Sequence, residues 1–96
     1  MRYILKVSDD ARQTLLRLEM ENSKKLARIR KTLVLIETDL RNRSLQTHKY
    51  DAIKGPNGEE AFEAYVENNT PGAYRVFWHY GPGRGIISII AITPHP

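Results

Sequence analysis

Residues 73–93 read Ala73-Tyr74-Arg75-Val76-Phe77-Trp78-His79-Tyr80-Gly81-Pro82-Gly83-Arg84-Gly85-Ile86-Ile87-Ser88-Ile89-Ile90-Ala91-Ile92-Thr93. Two runs of aromatic and β-branched residues flank a Gly-Pro-Gly-Arg-Gly turn, which is the pattern of a β-hairpin. In the first run Tyr74, Val76, Trp78 and Tyr80 point one way, and Arg75, Phe77 and His79 point the other. Ile86–Thr93 is apolar on both faces, as a central strand should be. This hairpin decides the fold class. Without it the chain would read as a two-helix coiled-coil module.

Working upstream, Ala61–Val66 alternates, with Phe62, Ala64 and Val66 against Ala61, Glu63 and Tyr65. Asn68-Asn69-Thr70-Pro71-Gly72 then turns the chain. Residues 44–60 are expected to be loop, centred on Gly55-Pro56-Asn57-Gly58. Before them Leu26, Ile29, Leu33, Ile36 and Leu40 recur at three- and four-residue steps, one apolar stripe on a helix over residues 24–42. Ser8-Asp9-Asp10 supplies an N-cap and first-turn acids for a helix over residues 9–21. Asn22-Ser23 is a weak breaker between them, so a single bent helix is the alternative. Arg2–Val7 alternates as a strand. The expected order is β-α-α-β-β-β: an α+β fold with a small antiparallel sheet and a helical hairpin on one face, one domain over residues 1–96.

Composition narrows the function classes. The 96 residues are 41% hydrophobic and 27% charged, the balance of an ordinary globular domain. No apolar run approaches the length of a bilayer span, and no signal peptide is expected, so a cytoplasmic location follows. With no cysteine there is neither a disulfide scaffold nor a thiolate metal site. His48, His79 and His95 share no helix turn, so no zinc site and no cofactor are expected. The formal charge of +4 is lopsided. Residues 1–49 hold twelve basic and six acidic side chains, whereas residues 50–96 hold three and five. A basic half points to a polyanion or an acidic protein partner.

Helices on one sheet face leave the other for function. If Tyr80 pairs with Ile86, Arg75 lies opposite Ala91 and His79 opposite Ile87, and Thr93 and His95 share the Arg75 face. If Val66 pairs near Tyr74, Glu63 and Tyr65 join them. Glu63, Tyr65, Arg75, His79 and His95 would then converge. A carboxylate, a guanidinium and imidazoles are the parts for cutting RNA through its own 2′-hydroxyl. Glu or His takes the proton, Arg steadies the phosphorane, and His protonates the leaving oxygen. The competing reading of Arg75 is a cross-strand pair with a carboxylate such as Glu63. On an open face Arg75 would stand exposed, and its loss would spare folding. His48 is expected only to cap or pack at the helix-to-sheet junction. Base stacking on the aromatic strand is disfavoured, because Tyr74, Trp78 and Tyr80 face the core.

The whole chain resembles the RelE/ParE superfamily of toxins from type II toxin–antitoxin pairs. The carriers are Tyr74-Arg75-Val76-Phe77-Trp78, the Ile86–Ile92 strand ending near a histidine, and Thr47-His48-Lys49 before a Gly-rich turn. The resemblance implies a cognate antitoxin, with DNA engaged only indirectly through it. It also implies one of three activities: metal-independent cleavage of mRNA on the ribosome, inhibition of DNA gyrase as in the ParE branch, or a role only in antitoxin binding and autoregulation. By position Arg75 matches the family's phosphate-contacting arginine. Glu63 sits where some members place a carboxylate base, and His95 where some place a terminal His or Arg. Lys49 and Lys54 are what remains of a lysine-rich loop, and with Tyr65 they are the expected RNA contacts. Where members with this His commonly follow it with Tyr, this chain has Pro96.

Overall fold

Capping side chains set the element boundaries. In the computed structural model, which describes every residue but Met1, Asn69 and Pro96, β1 (Ile4–Val7) runs into α1 (Asp9–Glu21). The Ser8 hydroxyl accepts from the Ala11 amide at 3.0 Å and donates to the Ile90 carbonyl at 2.7 Å. One side chain thus satisfies an orphan helix N–H and fastens the helix start to a distant strand. Asn22 closes α1 and opens α2 (Ser23–Thr38). Its amide donates to the Leu18 carbonyl at 2.8 Å, and its side chain accepts from the Lys25 amide at 3.1 Å. Two helices therefore form rather than one bent helix. The second ends at Thr38, short of the expected 42. Asn42 Nδ2 donates to Asp39 at 3.0 Å, and Asn42 caps a single 3-10 turn, Arg43–Leu45.

Strands β2 (His48–Lys54), β3 (Glu60–Tyr65), β4 (Tyr74–Tyr80) and β5 (Ile86–Pro94) complete a five-stranded sheet, ordered β1-β5-β4-β3-β2. The α+β class and the helical hairpin on one face stand, with two corrections. Residues 48–54 are a strand, not loop, and β1 runs parallel to β5, so the sheet is mixed. An edge strand meets a neighbour on one side and water on the other, so β2 needs little apolar alternation. It is mostly exposed, and its pairing with β3 shifts between Lys49 and Lys54.

Register in the hairpin departs from the expected pairing twice. Tyr80 pairs with Ile87 rather than Ile86, and a bulge at Ile90 adds a further step, so Arg75 pairs with Thr93 rather than Ala91. Two one-residue offsets restore the original parity beyond the bulge, which keeps Thr93 on the Arg75 face. Near the turn only one offset acts. His79 therefore faces Ser88 rather than Ile87, and Ile87 and Ile89 turn into the core. The core joins Ala11 and Leu18 of α1, Leu26, Ile29 and Ile36 of α2, and Val76, Trp78, Ile87, Ile89 and Ile92 of the sheet. Phe62 stacks on Trp78 at 4.7 Å and 21°.

Candidate active site

On the sheet face away from the helices, neighbouring strands place His48 opposite Glu63 and Tyr65 opposite Arg75. Glu63 is the centre of the group. Its side chain is only 4% exposed, and a buried carboxylate is tolerated only when its oxygens are paired. Arg75 Nη1 donates to Oε2 at 2.8 Å, and His48 Nε2 lies 2.7 Å from Oε1. The other ring nitrogen of His48, Nδ1, is 2.8 Å from the Gln46 carbonyl. Gln46 offers that carbonyl from a left-handed backbone conformation, φ 45°, at the end of the 3-10 turn.

Aromatic rings floor the site. The Arg75 guanidinium sits 4.8 Å from the Phe77 ring centre and 5.8 Å from that of Tyr50, and those two rings pack at 4.8 Å. Arg75 is therefore laid down on the sheet and only 17% exposed, which corrects the expectation of a solvated arginine. The cross-strand pair with Glu63 is what makes that burial tolerable. Its Nε is buried with no partner among the described residues.

Tyr65 stands beside the group, its ring 5.6 Å from that of His48. It borders a hollow of about 440 Å³ that also takes in Gln46, Tyr74 and His95. His95, exposed at the end of β5, is placed there by a bond from its amide to the Ala73 carbonyl at 2.7 Å.

Three expected members lie elsewhere. His79 is buried at the other end of β4, its Nδ1 2.8 Å from the Tyr80 carbonyl and 3.9 Å from Glu59. The Gly55 turn covers it so closely that a Cβ on Gly55 would lie 3.0 Å from the imidazole. Lys49 pairs with Phe62 in register, which puts it on the helix-side face, where it bonds Glu60 at 2.9 Å. That bond holds the Lys49 ammonium above its ordinary range and the Glu60 carboxyl below its own. Lys54 is exposed at the far end of β2.

A larger hollow of about 750 Å³ lies on the helix side, lined by Tyr3, Tyr80, Arg41, Arg43, Gln46 and Thr47 among others. It contains neither Glu63 nor Arg75, so size alone does not mark the site. There burial, then the neighbouring Tyr3, push the Tyr80 hydroxyl above its ordinary range. Part of the basic half is neutralised within the fold, because Lys25 and Arg28 both grip Glu67, at 2.9 and 2.6 Å. No group of His, Asp and Glu able to hold a metal ion occurs among the described residues. No helix among them is long and apolar enough to cross a membrane.

Sequence reasoning missed His48 as a member of the site, because the turn cluster at residues 55–58 made everything before it read as loop. The available signal was Thr47-His48-Lys49 itself, which entered only through the resemblance.

No protein-family model matches the chain, and no curated protein does. Solved structures do. A chain of the archaeal RelE–RelB complex from Pyrococcus horikoshii OT3 superposes with a TM-score of 0.68 at 18% identity, over 98% of this chain and 96% of that one. The YoeB dimer from Staphylococcus aureus gives 0.67 at 15% identity over the whole of both chains. The chain shares its fold with these two proteins, so the RelE/ParE-like fold expected from the sequence is borne out.

Proposed function

We propose that this chain is the toxin of a toxin–antitoxin pair. We further propose that it cleaves ribosome-bound mRNA by driving the RNA's 2′-hydroxyl onto the adjacent phosphate, without a metal. The observation that carries the reading is the Glu63 carboxylate held between Arg75 and His48 beside a hollow that takes in Tyr65 and His95. Such a group has what the reaction needs. Arg75 gives one of its donors to Glu63 and has others for a phosphate oxygen, where charge builds in the transition state. The carboxylate–imidazole pair serves the base side, and His95 is the donor to the leaving 5′ oxygen. Tyr65 offers a ring for a base to stack on. The likeness to a chain of a RelE–RelB complex supports an antitoxin as the protein partner, with DNA contacted only through it, and a cytoplasmic setting accords with a ribosomal target.

Induced expression without a partner is expected to arrest growth, with mRNA cut on polysomes within minutes. The purified chain should cut mRNA on programmed ribosomes, leaving a 2′,3′-cyclic phosphate and a 5′-hydroxyl. Growth arrest with intact mRNA and a DNA-damage response would replace this reading with gyrase inhibition. No arrest at all would leave only the antitoxin-binding role.

A further inference from the structure

The Gln46 carbonyl can only accept, so Nδ1 of His48, 2.8 Å away, carries a hydrogen. Nε2 is 2.7 Å from Glu63 Oε1, a contact that also requires a proton between the two atoms. Arg75 on the other Glu63 oxygen, at 2.8 Å, favours the carboxylate, so that proton belongs to the ring. Hydrogen-bond geometry thus assigns the resting pair as imidazolium and carboxylate.

Access differs sharply between the two partners. Glu63 is 4% exposed with both oxygens engaged, whereas His48 is 44% exposed. Of the two, the imidazole is the one open to a substrate. We infer that His48 is the base that takes the 2′-hydroxyl proton, and that Glu63 is the positioning residue holding the ring through Nε2. This rests on the ribonuclease reading above.

The working form is the ring after Nδ1 has lost its proton. Its lone pair then opposes the Gln46 carbonyl instead of bonding it, which leaves Nδ1 as the ring atom able to accept a proton. In the reaction Nδ1 takes the proton of the 2′-hydroxyl, the 2′ oxygen bonds phosphorus, and the bond from phosphorus to the 5′ oxygen breaks. The 5′ oxygen takes a proton from His95 or water, and His48 is back in its doubly protonated state. The groups facing the ring are Glu63 and Tyr65 from β3, with Arg75 of β4 behind Glu63. Lys49 beside it is turned away to Glu60.

The test is single-turnover cleavage of mRNA on programmed ribosomes between about pH 5.5 and 9. It uses the full chain, His48→Gln and Glu63→Gln, each with a thermal melt. Wild-type rate should rise with pH. His48→Gln should cut on the order of a hundredfold more slowly and lose that rise. Glu63→Gln should keep the rise but cut more slowly, because the ring has lost the carboxylate that holds it through Nε2. Nitrogen NMR of the His48 ring in the wild-type chain gives a readout free of any variant's folding. Loss of the Nδ1 proton on raising the pH, with Nε2 keeping its own, supports the assignment. Loss from Nε2 overturns it, as does His48→Gln cutting at the wild-type rate or with an unchanged pH rise. A wild-type chain that cuts nothing at any pH overturns the ribonuclease reading itself.

Discussion

Arg75→Ala separates the structural from the chemical work of one residue. Removing one partner of a buried ion pair costs about 3–5 kcal/mol, because the other is left charged and desolvated. Arg75 retains 17% exposure, and His48 still holds one Glu63 oxygen, so the lower end applies, including the lost contact with the Phe77 ring. About 3 kcal/mol is the expected loss. At about 4–8 °C per kcal/mol for a domain of this size, the melt should fall by about 12–24 °C. Against a typical total of about 5–15 kcal/mol the variant remains mostly folded at 25 °C. Urea unfolding followed by circular dichroism measures the loss. Adding Glu63→Gln should recover about 2 kcal/mol of it, since the stranded charge is then gone. Cleavage at 25 °C should fall about a hundredfold, equivalent to about 3 kcal/mol of transition-state stabilisation. An Arg75→Ala chain with the wild-type urea midpoint would refute the buried pair. An additive double variant would refute the coupling.

Asn22→Ala removes the side chain that separates the two helices and should cost about 1 kcal/mol in a urea melt, with helical content retained. Gly55→Ala forces a methyl group against His79 and Glu59 and should destabilise by about 1–3 kcal/mol. Cleavage at 25 °C should be unaffected, because His79 lies at the other end of β4 from Arg75 and bonds neither Glu63 nor His48. The bond from Lys25, with burial opposing and the charges of Lys25 and Arg28 assisting, holds Glu67 below the ordinary carboxylate range. A folded-state value below the unfolded one means the unfolded chain binds the proton first. The stabilisation is thus present above the ordinary carboxylate range and is lost as pH falls through the lowered value. Glu67→Gln should be less stable at pH 7 and should flatten the acid side of a stability–pH curve measured by urea midpoint.

What was legible in the sequence was whatever the core writes into it. The stripe from Leu26 to Leu40 and the runs of β4 and β5 repeat at the helix and strand periods because one face of each is buried. β2 has no such face, and its polar side chains looked like loop. His48 was missed with it. The bulge at Ile90 was equally hidden, since a strand apolar on both sides has no period by which a shift could show. Glu63, Tyr65 and Arg75 come together as the conditional pairing of Val66 near Tyr74 requires, because the β3–β4 turn meets that condition. His79 was misplaced because parity fixes a face but not a position along it.

Ser8 bonds Ile90 across 82 residues, and β1 lies parallel against β5. A parallel pair of strands so far apart in sequence has two consequences for how the chain acquires its shape. Closing that long loop costs entropy before any contact rewards it, and the strand that receives β1 is also the one flanking β4. A growing polypeptide that has emerged only as far as β3 carries Glu63 with no Arg75 to neutralise it and no β5 for α1 to pack against. The hydrophobic interior and the charged group on its far side therefore both wait on the β4–β5 hairpin, which lies beside β1.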